Sequence, residues 1–569
     1  MTGWRWAVAA ELVAAALLRA WGIADPAPGF YRDEAIEGLH GVYHWRGLIP
    51  VDAIWIRFSR IPVWELCATG SVALLGPTVL AARLPAVVGG TAAAALAAFG
   101  WRAGLGPWPA LAAAGMLGSS LWAVVYGRIG SGPCLVPLHG VALVALLLRP
   151  VSRTAGREGF LAGLVAGSAV YSYYAGVHLP MVLAFGLLVR VGGDGAFRAV
   201  APRWALGALA GVGVSLVPLA GRLRLFHDIA GYPGTVDWAE ALRQEARYLG
   251  ALFLSPHRMD PRVGIWAVWP PGGALLRPVE AAVAAGGLAA ALAGPPPRWR
   301  WWLAPGWLLL ALLPASVTPG GLRWSRTIGV LVPAALLAAG AAAMVLSVVP
   351  RRGAVLVAAA CAAIAAVTRH EALEVWRRSP QVALWADRVD TDTALYLKAR
   401  AAVRPLQVSN PVEYSTNPVW TYLLDAELRT GRIRSVPAGP RPRPRLVHII
   451  RDPLAGQPSV VVFDLRGEPA PGRDSLGLAD AGSLMEPGSA ALARGDAVAA
   501  ERYARGVLAL IPDFGLAHLR LADALAAQGR LGEARRERER AAALGIRTED
   551  LPALESGRAV SGASASGPP

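Results

Sequence analysis

The first two-thirds of the chain alternates long apolar runs with short polar loops. An N-terminal run extends from Trp6 to Trp21, and its only charged residues are Glu11 and Arg19. Further apolar runs cover residues 62–77, 84–100, 107–126, 133–149, 159–175, 179–192, 204–220, 276–293, 301–315, 327–348 and 353–367. Because about 20 apolar residues span the hydrocarbon core of a bilayer, the pattern predicts a mainly α-helical, polytopic membrane helix bundle.

The arginines predict how the helices cross the membrane. If residues 62–77 are counted as a span, the loops "RPVSRTAGRE" and "PPPRWR" fall outside, against the positive-inside rule. If residues 62–77 form a helix in the outer interface instead, both loops lie in the cytoplasm. We therefore expect about eleven spans, a retained first helix rather than a cleaved signal peptide, and one large outer loop over residues 23–82.

Composition agrees with a membrane protein and argues against a nucleic-acid partner. The 569-residue chain is 54% hydrophobic and has a mean hydropathy of +0.42. Its net charge of +16 comes almost entirely from arginine, with Lys398 as the sole lysine, and the cations form no basic stripe with stacking aromatics. Cys67, Cys134 and Cys361 lie in apolar surroundings without metal-ligand spacing, so we interpret them as packing residues.

Two adjacent carboxylates open the outer loop. The stretch "GFYRDEAIEGLHGVYHWRG" (residues 29–47) places Asp33 and Glu34 at the start of an aromatic-rich amphipathic helix. The predicted topology also puts a set of arginines on the outer face: Arg57, Arg60, Arg83, Arg128, Arg222, Arg224, Arg258, Arg262, Arg277, Arg323 and Arg326. Guanidinium groups at a membrane surface suit bidentate capture of phosphate oxygens, although anchoring among lipid headgroups or genome bias is the better account of any single one.

The stretch "YRDEAIEGLHG" resembles the Asp-Glu motif of the GT-C glycosyltransferases, specifically the bacterial relatives of protein O-mannosyltransferases and aminoarabinose transferases. Further stretches match in the same order: "LLGPTVLAARLPAVVGG", "SSLWAVVYGRIG", "GSAVYSYYAGVHLP" and "LLPASVTPGGLRWSRTIGVLVP". The resemblance implies a GT-C transmembrane catalytic domain over residues 1–370. It implies the bacterial inner (cytoplasmic) membrane as the location, with loop 23–82 and the C-terminal region extracytoplasmic.

The same resemblance implies an activity. Such enzymes transfer a sugar, with inversion, from a polyprenyl-phosphate donor to a hydroxyl or phosphate on a protein, lipid or polysaccharide acceptor. By resemblance Asp33 is the base that deprotonates the acceptor, and Glu34 orients Asp33 or the acceptor. The residues expected to stabilise the departing phosphate are Arg57, Arg60, Arg128, Arg323 and Arg326. The residues expected to contact the acceptor or form a lid are Tyr31, His178, Arg258 and Arg262.

The chain departs from the family pattern at two positions. His178 stands where relatives often carry arginine, and "YGRIGSGPCLVPLHG" lacks the acidic residue often seen soon after the arginine. A lone histidine near a helix end is more often structural. His40 and His44 are one helical turn apart, a spacing that can bind zinc, but the sequence shows no third ligand. We predict no metal site, while relatives that use a divalent ion leave such a cofactor open.

Three further segments are distinct in composition. The long outer loop, residues 221–273, is expected to hold a helix near 237–254 and to act as a lid or as a plug over the bundle. Residues 371–480 contain "RPLQVSN", "RLVHIIRD" and "PSVVVFDLRG", which read as strands of a small extracytoplasmic α/β domain. Residues 481–546 repeat with a shift of 34 and look like two tetratricopeptide repeats, which would either dock on the preceding domain or bind a protein partner. Residues 547–569 have the composition of a disordered tail.

Two other functional classes remain open beside the glycosyltransferase. A flippase or transporter of lipid-linked sugars would place ionisable residues along a path inside the bundle, whereas most charges here lie in loops and at helix ends. A membrane-anchored tetratricopeptide scaffold would tolerate changes at Asp33, but it offers no reason for about eleven spans.

Overall fold

The structure, a computed structural model, divides into two compact units, Met1–Ala386 and Asp387–Pro569. It describes residues 2–48, 62–219, 236–253, 276–318, 324–379, 382–383, 386–409, 417–430, 432–436, 445–451, 458–464, 474–480, 485–544 and 546. The first unit continues past residue 370, where we expected the catalytic domain to end. Glu371–Trp376 extends its last long helix as a π-helical segment.

The first unit is built of helices throughout its described residues. They are α1 (Thr2–Ala20), α2 (Arg32–Trp45), α3 (Pro62–Leu75), α4 (Val79–Gly100), α5 (Arg102–Leu105), α6 (Pro107–Ser119), α7 (Leu121–Tyr126), α8 (Val136–Leu147), α9 (Ala155–Ser168), α10 (His178–Gly193), α11 (Gly195–Arg198), α12 (Ala201–Leu216), α13 (Trp238–Phe253), α14 (Pro278–Ala293), α15 (Trp299–Ser316), α16 (Leu331–Val348) and α17 (Pro350–His370). Short 3₁₀ segments adjoin several of them, at Gly132–Leu135, Ala169–Tyr171, Tyr174–Val177, Val217–Leu219 and Trp324–Val330.

Each apolar run of the sequence lies largely on one or two of these helices. By length and composition, five helices of the described chain can cross a membrane: Val79–Gly100, Tyr174–Gly193, Ala201–Leu219, Arg326–Val348 and Arg352–Trp376. The run at residues 62–77 is the 14-residue helix α3, which at about 21 Å is shorter than the hydrocarbon core. The chain is therefore a multi-pass membrane protein by this criterion, and the larger number of about eleven spans stays a prediction.

Helices α9 and α12 meet backbone to backbone because small residues line their contact. A Cβ on Gly163 would lie 2.1 Å from the carbonyl oxygen of Ala208, and one on Gly211 would lie 2.1 Å from that of Phe160. In lipid, where apolar burial supplies little drive for helix association, such close approach increases van der Waals contact. The glycines of "EGFLAGLVAGS" and "LGALAG" thus hold this pair of helices together.

Some charged side chains lie inside the bundle. Glu11 and Arg19 of α1 are both buried. Glu11 accepts a hydrogen bond from Ser119 Oγ at 2.6 Å. Arg19 donates to the carbonyl oxygens of Ala15 and Leu117, at 3.0 and 2.8 Å. Each charge therefore has polar partners on α1 or α6, as a buried charge requires.

One helix of the long outer loop is described. Helix α13 agrees with the helix predicted near residues 237–254. Its Glu245 accepts a hydrogen bond from Ser316 Oγ at the end of α15, and its Tyr248 is fully buried. The helix is thus packed on the bundle, which either a lid or a plug requires.

The second unit contains a mixed five-stranded sheet. Its strands are β1 (Leu406–Ser409), β2 (Ile433–Val436), β3 (Arg445–Arg451), β4 (Pro458–Asp464) and β5 (Asp474–Asp480), in the order β2-β1-β5-β4-β3. Strand β1 pairs in parallel with β2 and β5, whereas β4 pairs antiparallel with β3 and β5. Strands β1, β3 and β4 lie on the three stretches that predicted strands, while β2 and β5 were not predicted.

Helices complete this sheet domain. Helix α18 (Arg388–Val403) packs on it, with the Tyr396 ring stacked on His448 at 4.3 Å between ring centroids. Two short helices, α19 (Pro418–Leu423) and α20 (Asp425–Arg429), lie between β1 and β2 along the chain.

Two helical hairpins follow the sheet. The first pairs α21 (Glu486–Ala493) with α22 (Ala497–Leu510), and the second pairs α23 (Gly515–Ala527) with α24 (Leu531–Ala543). Gly495 and Gly529, which match under the repeat, sit at the two turns with φ of 80° and 78°. This left-handed conformation favours glycine, which explains why glycine recurs at these two matched positions. The assignment to the tetratricopeptide family stays a prediction, and residues 547–569 lie outside the described chain.

Replacement of Gly163 by Val is expected to destabilise the bundle, because the added side chain overlaps the Ala208 carbonyl. We expect a loss of about 3 kcal/mol, the upper part of the range for overpacking, measured as thermal unfolding in detergent. The matched control is Gly213→Val on α12, where a Cβ meets no atom within 4 Å. Equal melting temperatures for the two variants would contradict this packing.

Candidate active site

The first turn of α2 carries the carboxylates that the sequence singled out. The chain is extended at Tyr31, with φ −60° and ψ 140°, and becomes helical at Arg32. The side chain of Glu34 folds back so that its Oε2 accepts the Tyr31 backbone N–H at 3.0 Å. Asp33 and Glu34 both lie in the first turn, where negative charge complements the helix dipole. Tyr31 therefore serves as the start of the helix, and its expected contact with the acceptor stays a prediction.

Glu34 is a buried anchor. Its side chain is 1% exposed, and that of Arg83 on α4 is 4% exposed. Arg83 donates from Nε to Oε1 at 2.9 Å and from Nη2 to Oε2 at 3.0 Å. The backbone N–H of Gly130 donates to the same Oε1 at 2.6 Å. Donors from three parts of the chain occupy this carboxylate, which favours a role in orienting the helix over contact with an acceptor.

Arg83 also holds the segment that leads into α2. Its Nη1 donates to the carbonyl oxygen of Asp25 at 3.0 Å, and its Nη2 donates to that of Gly29 at 2.9 Å. The guanidinium carbon lies 5.8 Å from the centroid of the Phe30 ring. One guanidinium thus joins α4, the segment 25–30 and the first turn of α2. These contacts fix the position of the turn that carries Asp33.

A stripe of polar residues runs along one face of α2. Asp33, Glu37, His40 and His44 follow at helical intervals of four, three and four residues. Glu37 accepts hydrogen bonds from Ser131 Oγ and from the Gly132 backbone N–H, both at 3.2 Å. Burial raises the pKa of the Glu37 carboxyl well above its ordinary value of 4.5, and the nearby charge of Asp33 raises it further.

The two histidines of the stripe share one carboxylate from α3. His40 Nδ1 lies 3.0 Å from Glu65 Oε1, and His44 Nε2 lies 3.4 Å from Glu65 Oε2. The carboxylate of Glu65 is only 1% exposed, so it needs these partners. Among the residues that the structure describes, no three His, Cys, Asp or Glu side chains are arranged to hold a metal ion.

Arg128 does not have the surroundings expected of a phosphate-binding residue. It is buried, and its Nη1 donates to the carbonyl oxygens of Leu18 and Arg19 at 2.8 and 3.1 Å. Its Nη2 donates to the carbonyl oxygen of Trp21 at 2.9 Å. Burial, followed by the nearby Arg83 guanidinium, lowers the pKa of Arg128 to about 10. These contacts favour a cap on the end of α1, because the carbonyls of a helix C-terminus lack intrahelical donors.

His178 and Arg326 are also internal. His178 is 1% exposed, its Nδ1 faces the carbonyl oxygen of Ala175, and its Nε2 lies 3.4 Å from the indole Nε1 of Trp307. Both ring nitrogens thus have partners inside the bundle, which disfavours the expected lid role. Arg326 is buried and donates to Thr318 Oγ1. The remaining expected site residues lie outside the described chain: Arg57, Arg60, Arg258, Arg262 and Arg323.

Sequence reasoning missed three residues of this site. Glu37 follows Asp33 by one helical turn, and the amphipathic pattern of α2 could have identified it. Arg83 was noted as an outer arginine but was not assigned to the site. Glu65 was not singled out as a site residue, although its buried carboxylate contacts both histidines of the stripe.

No protein-family model and no curated protein matches the chain. Its fold is similar to a crystal structure of ArnT from Cupriavidus metallidurans bound to undecaprenyl phosphate. That comparison has a TM-score of 0.49 and 15% identity, and it covers 75% of this chain and 85% of ArnT. The apo structure of the same ArnT gives 0.46 and 17%, with 77% and 86% covered.

ArnT is a GT-C aminoarabinose transferase, the class that the motifs of the sequence resemble. The likeness concerns the outline of the fold, and at this identity and TM-score it assigns no activity to any residue.

Loss of the Arg83 side chain is expected to destabilise the protein, because it leaves Glu34 buried with fewer donors. For Arg83→Ala we expect a loss of about 3–5 kcal/mol, the usual cost of breaking a buried pair, measured by thermal unfolding. The double variant Arg83→Met, Glu34→Leu removes both charges and is expected to recover much of the loss. If the double variant is less stable than Arg83→Ala, the pair is not coupled as described.

Glu37→Gln is expected to stabilise the protein in a pH-dependent manner. Because the pKa of Glu37 is raised in the folded protein, the carboxyl contributes stability at low pH that is lost as pH rises above 4.5. Gln keeps the neutral shape and cannot ionise. The melting temperature of the variant should therefore equal that of the wild type near pH 4.5 and exceed it increasingly towards pH 8. A difference that does not change with pH would contradict this assignment.

Proposed function

We propose that the chain is a membrane glycosyltransferase that moves a sugar from a polyprenyl-phosphate donor to an acceptor hydroxyl or phosphate. The reaction takes place on the extracytoplasmic face, with inversion at the anomeric carbon. The enzyme lies in the bacterial inner membrane, and its acceptor is a protein, a lipid or a polysaccharide. The family resemblance of the motifs in residues 1–370 supplies the reaction class, and the contacts around α2 supply the residues.

The observation that carries the proposal is the environment of Asp33. This carboxylate lies on the first turn of a helix that Glu34 and Arg83 hold through a buried two-pronged contact. A catalytic base must keep its position relative to the substrate, and such an anchored helix end provides that. Beside it lies Glu37, a carboxyl with a raised pKa. Paired carboxyls whose environments separate their pKa values are a common arrangement for acid and base chemistry.

The proposed chemistry assigns each carboxyl one task. Asp33, ionised, takes the proton of the acceptor hydroxyl as the acceptor oxygen forms its bond to the anomeric carbon. The bond between that carbon and the donor phosphate breaks, and the phosphate leaves with the electron pair. The raised pKa of Glu37 favours its neutral form, which avoids a second negative charge near Asp33. Where the acceptor is already an ionised phosphate, no proton has to be removed.

Cations are needed at the leaving phosphate. Because the contacts of Arg128 favour a cap on α1, we assign this task to Arg57 and Arg60, with Arg323 and Arg326 as further candidates. Arg258 and Arg262 of the long outer loop remain candidates for the acceptor side. A divalent ion stays open as a cofactor, and the helical hairpins of the second unit stay open as a surface for a protein partner.

Asp33→Asn is expected to lower transfer about 10²- to 10⁴-fold, the usual contribution of a positioned general base. Purified protein in lipid is offered a panel of polyprenyl-phosphate sugars with candidate acceptors, and sugar release or transfer is measured. Undecaprenyl phosphate, the lipid bound in one of the similar ArnT structures, is the first carrier to test.

The matched control is Asp392→Asn, a partly exposed carboxylate of α18 that pairs with Arg388 and is expected to leave activity unchanged. The melting temperature of each variant establishes that it is folded. If the wild type consumes no donor, or if folded Asp33→Asn is as active as the wild type, the proposed function is wrong.

A further inference from the structure

A groove of about 800 Å³ lies between the last turns of α1 and α17. Both helices end on the same side of the bundle, so their apolar residues line one part of the groove and their polar ends line the other. This volume is within the range of about 300–1,000 Å³ typical of small-molecule sites. The site described above does not use this groove.

The apolar part of the groove is accessible from the bilayer. Leu17 and Trp21 of α1 line it and are 53% and 63% exposed, and Ala366 of α17 lines it from the other side. Exposed leucine and tryptophan near the end of a membrane helix fit the boundary between acyl chains and headgroups. A hydrocarbon chain can therefore lie along this part of the groove.

The polar part carries a net positive charge. Arg369, Arg377 and Arg378 line it together with Glu374. Arg377 pairs with Asp25, and Arg378 lies 3.2 Å from Glu374. Three guanidinium groups against two carboxylates leave one positive charge. Arg369 makes no hydrogen bond or ion pair with the described part of the chain, so it is the cation left to bind an external anion.

The C-terminal end of α1 does not repel an anion bound in this groove. The carbonyl oxygens at a helix C-terminus repel negative charge. In this chain Arg128 donates to the carbonyls of Leu18, Arg19 and Trp21, which covers that end of the helix with a cation. The electrostatic balance of the groove thus favours an anion beside Arg369.

We propose that this groove binds an anionic bilayer phospholipid, whose headgroup carries one net negative charge. Its phosphodiester contacts Arg369, and its acyl chain lies against Leu17, Trp21 and Ala366. Clusters of arginine at the end of membrane helices are a recurrent feature of anionic-lipid sites. One net negative charge matches the single uncompensated charge of the groove, whereas a free polyprenyl phosphate, which is a monoester, carries more charge than the groove offers. This proposal is independent of the transferase activity.

The test uses the full-length chain, stripped of lipid in neutral detergent. Native mass spectrometry measures binding of phosphatidylglycerol and of phosphatidylcholine with the same acyl chains. We expect a preference of about tenfold for phosphatidylglycerol, because the choline cation of phosphatidylcholine offsets the charge of its phosphate beside Arg369. Arg369→Gln is expected to abolish the preference. Arg352→Gln, at the other end of the same helix, is expected to retain it.

A second pair of variants tests the apolar part. Ala366→Trp fills the groove and is expected to lower binding of both lipids, whereas Val367→Trp changes a neighbouring residue that does not line the groove. Equal binding of the two lipids, or a preference that survives Arg369→Gln, would overturn the proposal. Tighter binding of undecaprenyl phosphate than of phosphatidylglycerol would overturn it as well, and would assign the groove to the carrier lipid.

Discussion

A carboxylate removed from water needs several donors, and Glu34 obtains them from parts of the chain that are far apart in sequence. Arg83 lies 49 residues away and Gly130 lies 96 residues away. The contact with Gly130 also requires glycine, because a Cβ there would lie 2.3 Å from the carbonyl oxygen of Ala82. Helix α2, helix α4 and the loop at residues 127–132 therefore converge on one buried charge. The rest of the proposed site, including Asp33 and Glu37, is built on this convergence.

The helices were predictable because their signal is local. Each apolar run carries its own evidence of length and hydropathy, and each lies on a helix. The run at residues 62–77 also lies on a helix, of 14 residues, and its place in the outer interface stays a prediction. In the second unit, β1, β3 and β4 were evident as apolar stretches between turn residues. The pairing of β1 with β5 depends on residues more than 60 positions apart, so no local pattern indicates it.

The site was predictable only in part, because the roles of its residues depend on distant partners. The sequence identified the pair Asp33 and Glu34 but could not tell which of the two is buried, since that is decided by Arg83. In the same way, Arg128 resembles a free cation at the end of a span until the carbonyls of Leu18, Arg19 and Trp21 are placed around it. His178 becomes an internal residue only through Trp307, 129 positions away.

The contacts of Arg83 and Arg128 with the segment before α2 restrict the length of that segment. Both guanidinium groups grip main-chain carbonyls, at Leu18, Arg19, Trp21, Asp25 and Gly29. Main-chain contacts of this kind depend on the spacing of the carbonyls along the chain more than on side-chain identity. Gly29 is an exception, since a Cβ there would lie 2.0 Å from the carbonyl oxygen of Ala386. One inserted residue between Gly29 and Arg32 would turn α2 by about 100° and direct its polar stripe away from loop 130–132. The number of residues in this segment therefore sets the rotational position of α2.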